Sequence, residues 1–250
     1  MQAYLTLTRR ELGTYFLSMT GYVIIAAVTF LLGLSFVVLL IKLQHEPTSL
    51  PVTEMFYITQ FFWLILLLAA PVITMRLFAL EKFIGTFETL MTTPVSELEV
   101  VLAKFTAGLT FYILTWLPLL ACLLIVRHYA NEPVGLDAGA IGSTFLGILL
   151  IGGVFVSSGC CASAITKSQV AAAMMSLLFG ISVFCVGVLA DRFPTETGWR
   201  AQVFSSLAIF EQMHDFARGI VDTRAAVLYL SLTLFFLFLA LRIMESRRWK

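Results

Sequence analysis

Six stretches of the chain, at about 21–43, 55–75, 105–126, 141–165, 170–190 and 226–244, are almost unbroken runs of apolar side chains. A bilayer takes about 20 such residues per helix, so each run predicts a transmembrane helix. The segment before them is patterned differently. At about 100° per residue, Leu5, Leu12, Tyr15, Phe16 and Met19 fall on one face and Arg10 and Thr14 lie opposite, which predicts an interfacial helix over 2–19 lying in the membrane surface. Thr8-Arg9-Arg10 has the look of a twin-arginine signal, but Glu11-Leu12-Gly13 follows and no small-residue cleavage site closes the apolar run.

Three connections carry structural signals. Between the second and third runs, Gly85 breaks the helix, Thr86 to Met91 suffice for one and a half turns, and Pro94 ends the segment. Ser96-Glu97-Leu98-Glu99 then forms a capping box. This predicts a short, bracketed helix at 85–92 outside the membrane. Thr166-Lys167-Ser168-Gln169 is so short a link that the fourth and fifth runs must form an antiparallel hairpin. The stretch 198–220 is too apolar for a wet loop and too interrupted by charge to span. It predicts a re-entrant external segment with Phe204, Leu207, Phe210 and Phe216 as an apolar gate, or with Glu211, His214, Asp215 and Arg218 facing a partner, or one that merely seals the bundle. Asp222 is placed to cap the last helix. The fourth run has small residues at four-residue spacing, Gly139, Ser143 and Gly147, then Gly153, Ser157 and Cys161, which suit close packing inside the subunit or a dimer interface.

Composition agrees with lipid as the main solvent. Of 250 residues, 60% are hydrophobic and 12% charged, with mean hydropathy +0.95. Soluble domains carry about 25% charged residues, and disordered chains still more. The net charge of +1 leaves no electrostatic footprint for nucleic acid. With an inside N-terminus, ten of the 16 Lys and Arg residues fall on the inner side, which predicts both termini in the cytoplasm. The adjacent Cys160 and Cys161 would point about 100° apart on a helix, with no His or Met at ligand spacing, so they read as packing residues rather than a metal site.

The predicted spans hold essentially no charge away from their ends, which disfavours ion-coupled carriers and catalysis within the membrane. His45, His128 and His214 fall in predicted external segments, and the adjacent His214 and Asp215 read as a solvated face rather than an acid-base pair. No G-x-x-x-x-G-K-[ST] phosphate loop occurs, so energy from ATP must arrive through another protein.

Glu81-Lys82-Phe83-Ile84-Gly85-Thr86-Phe87-Glu88-Thr89-Leu90, followed by Thr93-Pro94-Val95-Ser96 and Lys104-Phe105, resembles a motif of type-2 ABC transporter permeases. The tail from Phe216-Ala217-Arg218-Gly219-Ile220-Val221-Asp222 to Glu245-Ser246-Arg247-Arg248-Trp249 is similar to the gliding-motility-associated, GldF-like branch, with NosY-like permeases more distant. The resemblance implies an all-α protein of the bacterial cytoplasmic (inner) membrane that works as a dimer on two ABC ATPase subunits. ATP and Mg would be bound by those partners, with no cofactor or catalytic residue in this chain. It further implies that 85–92 is the coupling helix, with Glu81, Gly85, Thr86, Phe87, Glu88, Leu90 and Pro94 as the coupling residues. An extracytoplasmic auxiliary subunit is an implied further partner. Two readings remain open at this point: a permease that exports a substrate or transmits ATPase strokes, and a non-transporting membrane scaffold.

Overall fold

The structure, a computed structural model, describes residues 2–45, 52–87, 95–129, 138–192 and 208–248, and among these every regular element is a helix. Six stretches are long and apolar enough to cross a membrane: Met19–Lys42, Gln60–Ile84, Glu97–Val126, Ala138–Ile165, Gln169–Ala190 and Thr223–Ser246. The chain is therefore an all-α, multi-pass membrane protein. Six crossings return the last helix to the end of the bundle where the first begins, here termed the terminal end.

Helix α1 (Gln2–Phe16) precedes α2 (Met19–His45), with Ser18 Oγ accepting the Gly21 N–H at 3.3 Å in the turn between them. Leu5 points away from the protein, as a lipid-facing side chain should, whereas Phe16 lies edge-on against Phe111 and Glu11 and Tyr15 are buried. The apolar run at 55–75 is not one helix. It bends at Thr59, which is extended and separates α3 (Val52–Ile58) from α4 (Gln60–Thr74). The Thr59 hydroxyl holds this bend, bonding the Phe56 carbonyl and Ser35 Oγ at 2.6 Å each. After α4 a tight turn leads into α5 (Ala79–Ile84), where Ser163 Oγ accepts both the Phe78 and Ala79 N–H groups at 3.0 Å.

Helix α6 (Glu97–Thr115) starts at the Ser96–Glu99 capping box, so regular helix begins well ahead of the apolar run at 105. Its ladder breaks at Trp116, and α7 (Leu117–Tyr129) follows with Pro118 in its first turn, where a missing N–H leaves nothing unpaired. Then come α8 (Ala138–Ile165), a three-residue turn, and α9 (Gln169–Arg192) running back. Short α10 (Ile209–Ala217) and long α11 (Thr223–Arg248) complete the described chain. The Asp222 carboxylate accepts the Arg224 N–H at 2.9 Å, the N-cap geometry that starts α11.

Helix α8 is the axle of the bundle, buried along most of its length. Its small residues meet neighbours within the same chain: Gly147 faces Met213 and Phe216, Gly153 faces Thr233, and Ser143 Oγ donates to the Phe216 carbonyl at 2.6 Å. Cys160 and Cys161 are buried in this helix, and all four cysteines are free.

Candidate functional site

At the terminal end the chain builds an ion-pair cluster that anchors α1, α5 and α6 to each other. Lys104, two turns into α6, is only 2% exposed, and its Nζ lies 3.1 Å from Glu11 Oε1 and 2.9 Å from Glu81 Oε1. Arg10 reaches the same two oxygens from outside, at 3.0 and 3.4 Å. Tyr15 fixes α1 more deeply, donating to the Ile73 carbonyl at 3.0 Å and stacking on Phe111 with centroids 4.6 Å apart. A buried lysine of this kind persists only because two carboxylates share its charge.

Helix α5, whose Glu81 belongs to this cluster, leads into the bracketed connection. Gly85 ends α5 with φ of +85°, a conformation that any side chain would strain, and its N–H bonds the Glu81 carbonyl at 2.9 Å. Lys82 donates to the Ala164 carbonyl at the end of α8 and sits 5.2 Å from the Phe87 ring centre. Phe83 and Ile84 stand exposed, whereas Phe87 turns partly inward. On the other side of the connection, Ser96 Oγ accepts the Glu99 N–H at 3.3 Å. Of the sequence-predicted coupling residues, Glu81, Gly85, Thr86 and Phe87 therefore lie together here, and Glu88, Leu90 and Pro94 lie outside the described residues.

The opposite end carries a second polar junction, between α3 and α10. Glu54 is 2% exposed, and its Oε1 accepts from Arg218 Nε at 3.1 Å and Nη2 at 2.9 Å, with His214 Nε2 at 2.9 Å. Thr53 Oγ1 donates to the Ala217 carbonyl at 2.8 Å and Tyr57 Oη to the Phe210 carbonyl at 2.6 Å. His214 is thus engaged across the fold rather than standing on a solvated face. Its partner was invisible in the sequence because Glu54 lies 160 positions away. Phe210 packs edge-on to Trp63 and Phe184, at 4.6 and 4.8 Å, and Phe216 is buried. Glu211 is exposed and Asp215 half-buried; Phe204 and Leu207 lie outside the described residues.

The Arg218 guanidinium, hydrogen-bonded to Glu54, holds that carboxyl below the usual carboxylate range, and the same bond raises Arg218. A depressed carboxyl contributes stability above its unfolded-state pKa and loses it as pH falls through the folded value. Acidification below the ordinary carboxylate range should therefore loosen α3 from α10. Probes at Ile58 and Glu211, read by a distance method, should separate in acid in the wild type and show no such transition in E54Q. An identical acid transition in both proteins would rule out this junction as its source.

The described residues thus hold six membrane-length helices and a cluster of opposed charges at each end. A profile described as ABC-2 family transporter protein matches residues 41–243. The chain belongs to this family. No curated protein matches it. As an ABC-2 family member it is a membrane permease component of an ABC transporter, and the match includes the bracketed connection, Lys104 and the α3–α10 junction.

Proposed function

We propose that this ABC-2 permease works as a dimer on two separate ATPase subunits, which bind ATP and Mg, and that 85–92 is the helix through which their motion enters the membrane. The support for this reading is the bracketing itself. The connection departs at a glycine whose helix is tied to Lys104 through Glu81, and returns at a capped helix start on the element that carries Lys104. A push on residues 85–96 would therefore reach α1, α5 and α6 together, with α8 joined through Lys82 and Ser163. Glu81 and Gly85 set the geometry, Thr86 and Phe87 follow, and Glu88, Leu90 and Pro94 are the further coupling residues of this segment.

In this reading the terminal end is cytoplasmic, in a bacterial inner membrane, as the Lys and Arg asymmetry of the sequence favours. The α10 region then faces outward, with Phe204, Leu207, Phe210 and Phe216 closing a path or with Glu211 and Asp215 meeting an extracytoplasmic auxiliary subunit. Exporting a cargo and transmitting strokes to such a partner are both compatible with it, and the GldF-like tail suits the second.

Two measurements test the proposal. Purification with neighbouring proteins should bring down an ATPase with a Walker motif in stoichiometric amount; a complex without one would favour the scaffold. Glu88→Arg should reduce coupled activity at least about ten-fold while the permease still inserts, because it reverses charge at a protein contact without touching a span. Unchanged coupling and unchanged ATPase binding in that variant would sink the assignment of 85–92.

A further inference from the structure

Where α1 meets the start of α2 and the turn after α4, there is a crevice of about 600 Å³. Its charges do not balance. Glu11 and Glu81 are matched by Lys104 and Arg10, whose nitrogens approach their Oε1 atoms to between 2.9 and 3.4 Å. A third cation, Arg76, lines the same crevice and has no carboxylate partner among the described residues; its contact is the Thr20 hydroxyl. Thr20 Oγ1 in turn lies 2.7 Å from Ser18 Oγ, and Thr14 completes a short row of hydroxyls. One unmatched positive charge and several hydrogen-bonding groups thus share a polar corner beside Met19, where the first candidate span begins. The wall beyond is apolar, formed by Ile24 and Val72, of which Val72 is exposed.

We propose that this crevice binds one anionic phospholipid, its phosphate against Arg76 and the hydroxyl row and an acyl chain along Val72. The volume lies within the range of about 300–1,000 Å³ typical of ligand sites. A bare inorganic anion has no use for the apolar wall, and a neutral lipid leaves Arg76 unmatched. A zwitterionic headgroup also brings an ammonium with poor prospects here: both Oε1 atoms are taken by Lys104 and Arg10, and Glu81 Oε2 is buried. An arginine at the membrane boundary gains most from a phosphate oxygen, with which it forms charge-assisted, fork-shaped hydrogen bonds.

The experiment is native mass spectrometry of the purified protein with phosphatidylglycerol or phosphatidylethanolamine of matched chains. Wild type should retain one phosphatidylglycerol per chain at concentrations where phosphatidylethanolamine is lost. R76Q should weaken retention about ten-fold or more, the scale of one charge-assisted contact, and R76K should lose less. V72W fills the apolar wall from a position already exposed, so the fold has no reason to suffer. It should lose the lipid with Arg76 intact, and this variant decides the matter if R76Q proves too unstable to purify. R242Q, on α11 outside the crevice, should bind as wild type. Equal retention in R76Q or V72W, equal retention of the two headgroups, or displacement of the lipid by glycerol phosphate at matched concentration would each overturn the proposal.

Discussion

Lys104→Met should destabilise the folded protein by about 3–5 kcal/mol, among the largest effects of any single substitution outside the apolar core. The reason is asymmetric desolvation. With the ammonium gone, Glu11 and Glu81, whose side chains are 9% and 18% exposed, face each other across a buried gap with only the peripheral Arg10 to balance them. The loss should show as a lower unfolding midpoint in detergent micelles and reduced accumulation in membranes. Neutralising the carboxylates as well, in E11Q/E81Q/K104M, should recover much of it, because a paired set of charges is often replaceable by uncharged groups. The exposed Arg242–Glu245 pair is the natural comparison. At 2.7 Å it is no longer than the buried contacts, yet its side chains are 61% and 36% exposed, and R242Q should cost under about 1 kcal/mol. If K104M and R242Q prove equally mild, the terminal-end cluster is not the junction described here.

The second large effect is expected at Gly152 in α8. A Cβ there would overlap the ring of Tyr112, with Cδ1 and Cζ at 2.9 Å, and that ring is fully buried beside Trp116 with no room to swing aside. Overpacking of this kind costs about 1–3 kcal/mol, and more where neither element can shift. Gly152→Ala should therefore lower the unfolding midpoint, and adding Y112L should restore part of it by clearing the collision. Gly142, ten positions earlier in the same helix, has nothing within 4 Å of the equivalent position. G142A should be neutral or stabilising by up to about 1 kcal/mol, since alanine favours helix. Two glycines in one helix thus predict opposite signs, and equal effects would contradict the packing of α8 against α6.

Much of the architecture was legible in the sequence because lipid demands it. Uninterrupted apolar length marks a span, and Gly85, Ser96–Glu99, the 166–169 turn and Asp222 are local signals that need no distant partner. The places where reading failed were those where a residue's environment depends on another element. Thr59 is one hydroxyl in an apolar run and becomes a bend only because Ser35 meets it. Nothing in the periodicity reveals that Lys104 meets Glu11, 93 positions away in the chain. The pairing of Glu54 with His214 is hidden for the same reason, since 160 positions separate them. On α1 the spacing puts Tyr15 on the apolar face, whereas its hydroxyl bonds the Ile73 carbonyl and turns it toward the protein. The coupling motif rested on family resemblance, and only its first half lies within the described residues.

The central position of α8 has a consequence for biogenesis. Its hydropathy qualifies it for membrane insertion, yet once the bundle is complete Gly147, Gly152, Gly153 and Gly159 and its buried serines face other parts of the fold. Lipid therefore solvates most of this helix only in transit. The three-residue turn to α9 lets the pair enter as one hairpin, while Thr233 on α11, which seals the Gly153 groove, is synthesised last. Ribosome-bound chains truncated before residue 223 should consequently expose the α8 groove to crosslinkers or to holding chaperones, and the same groove should close when the final helix arrives.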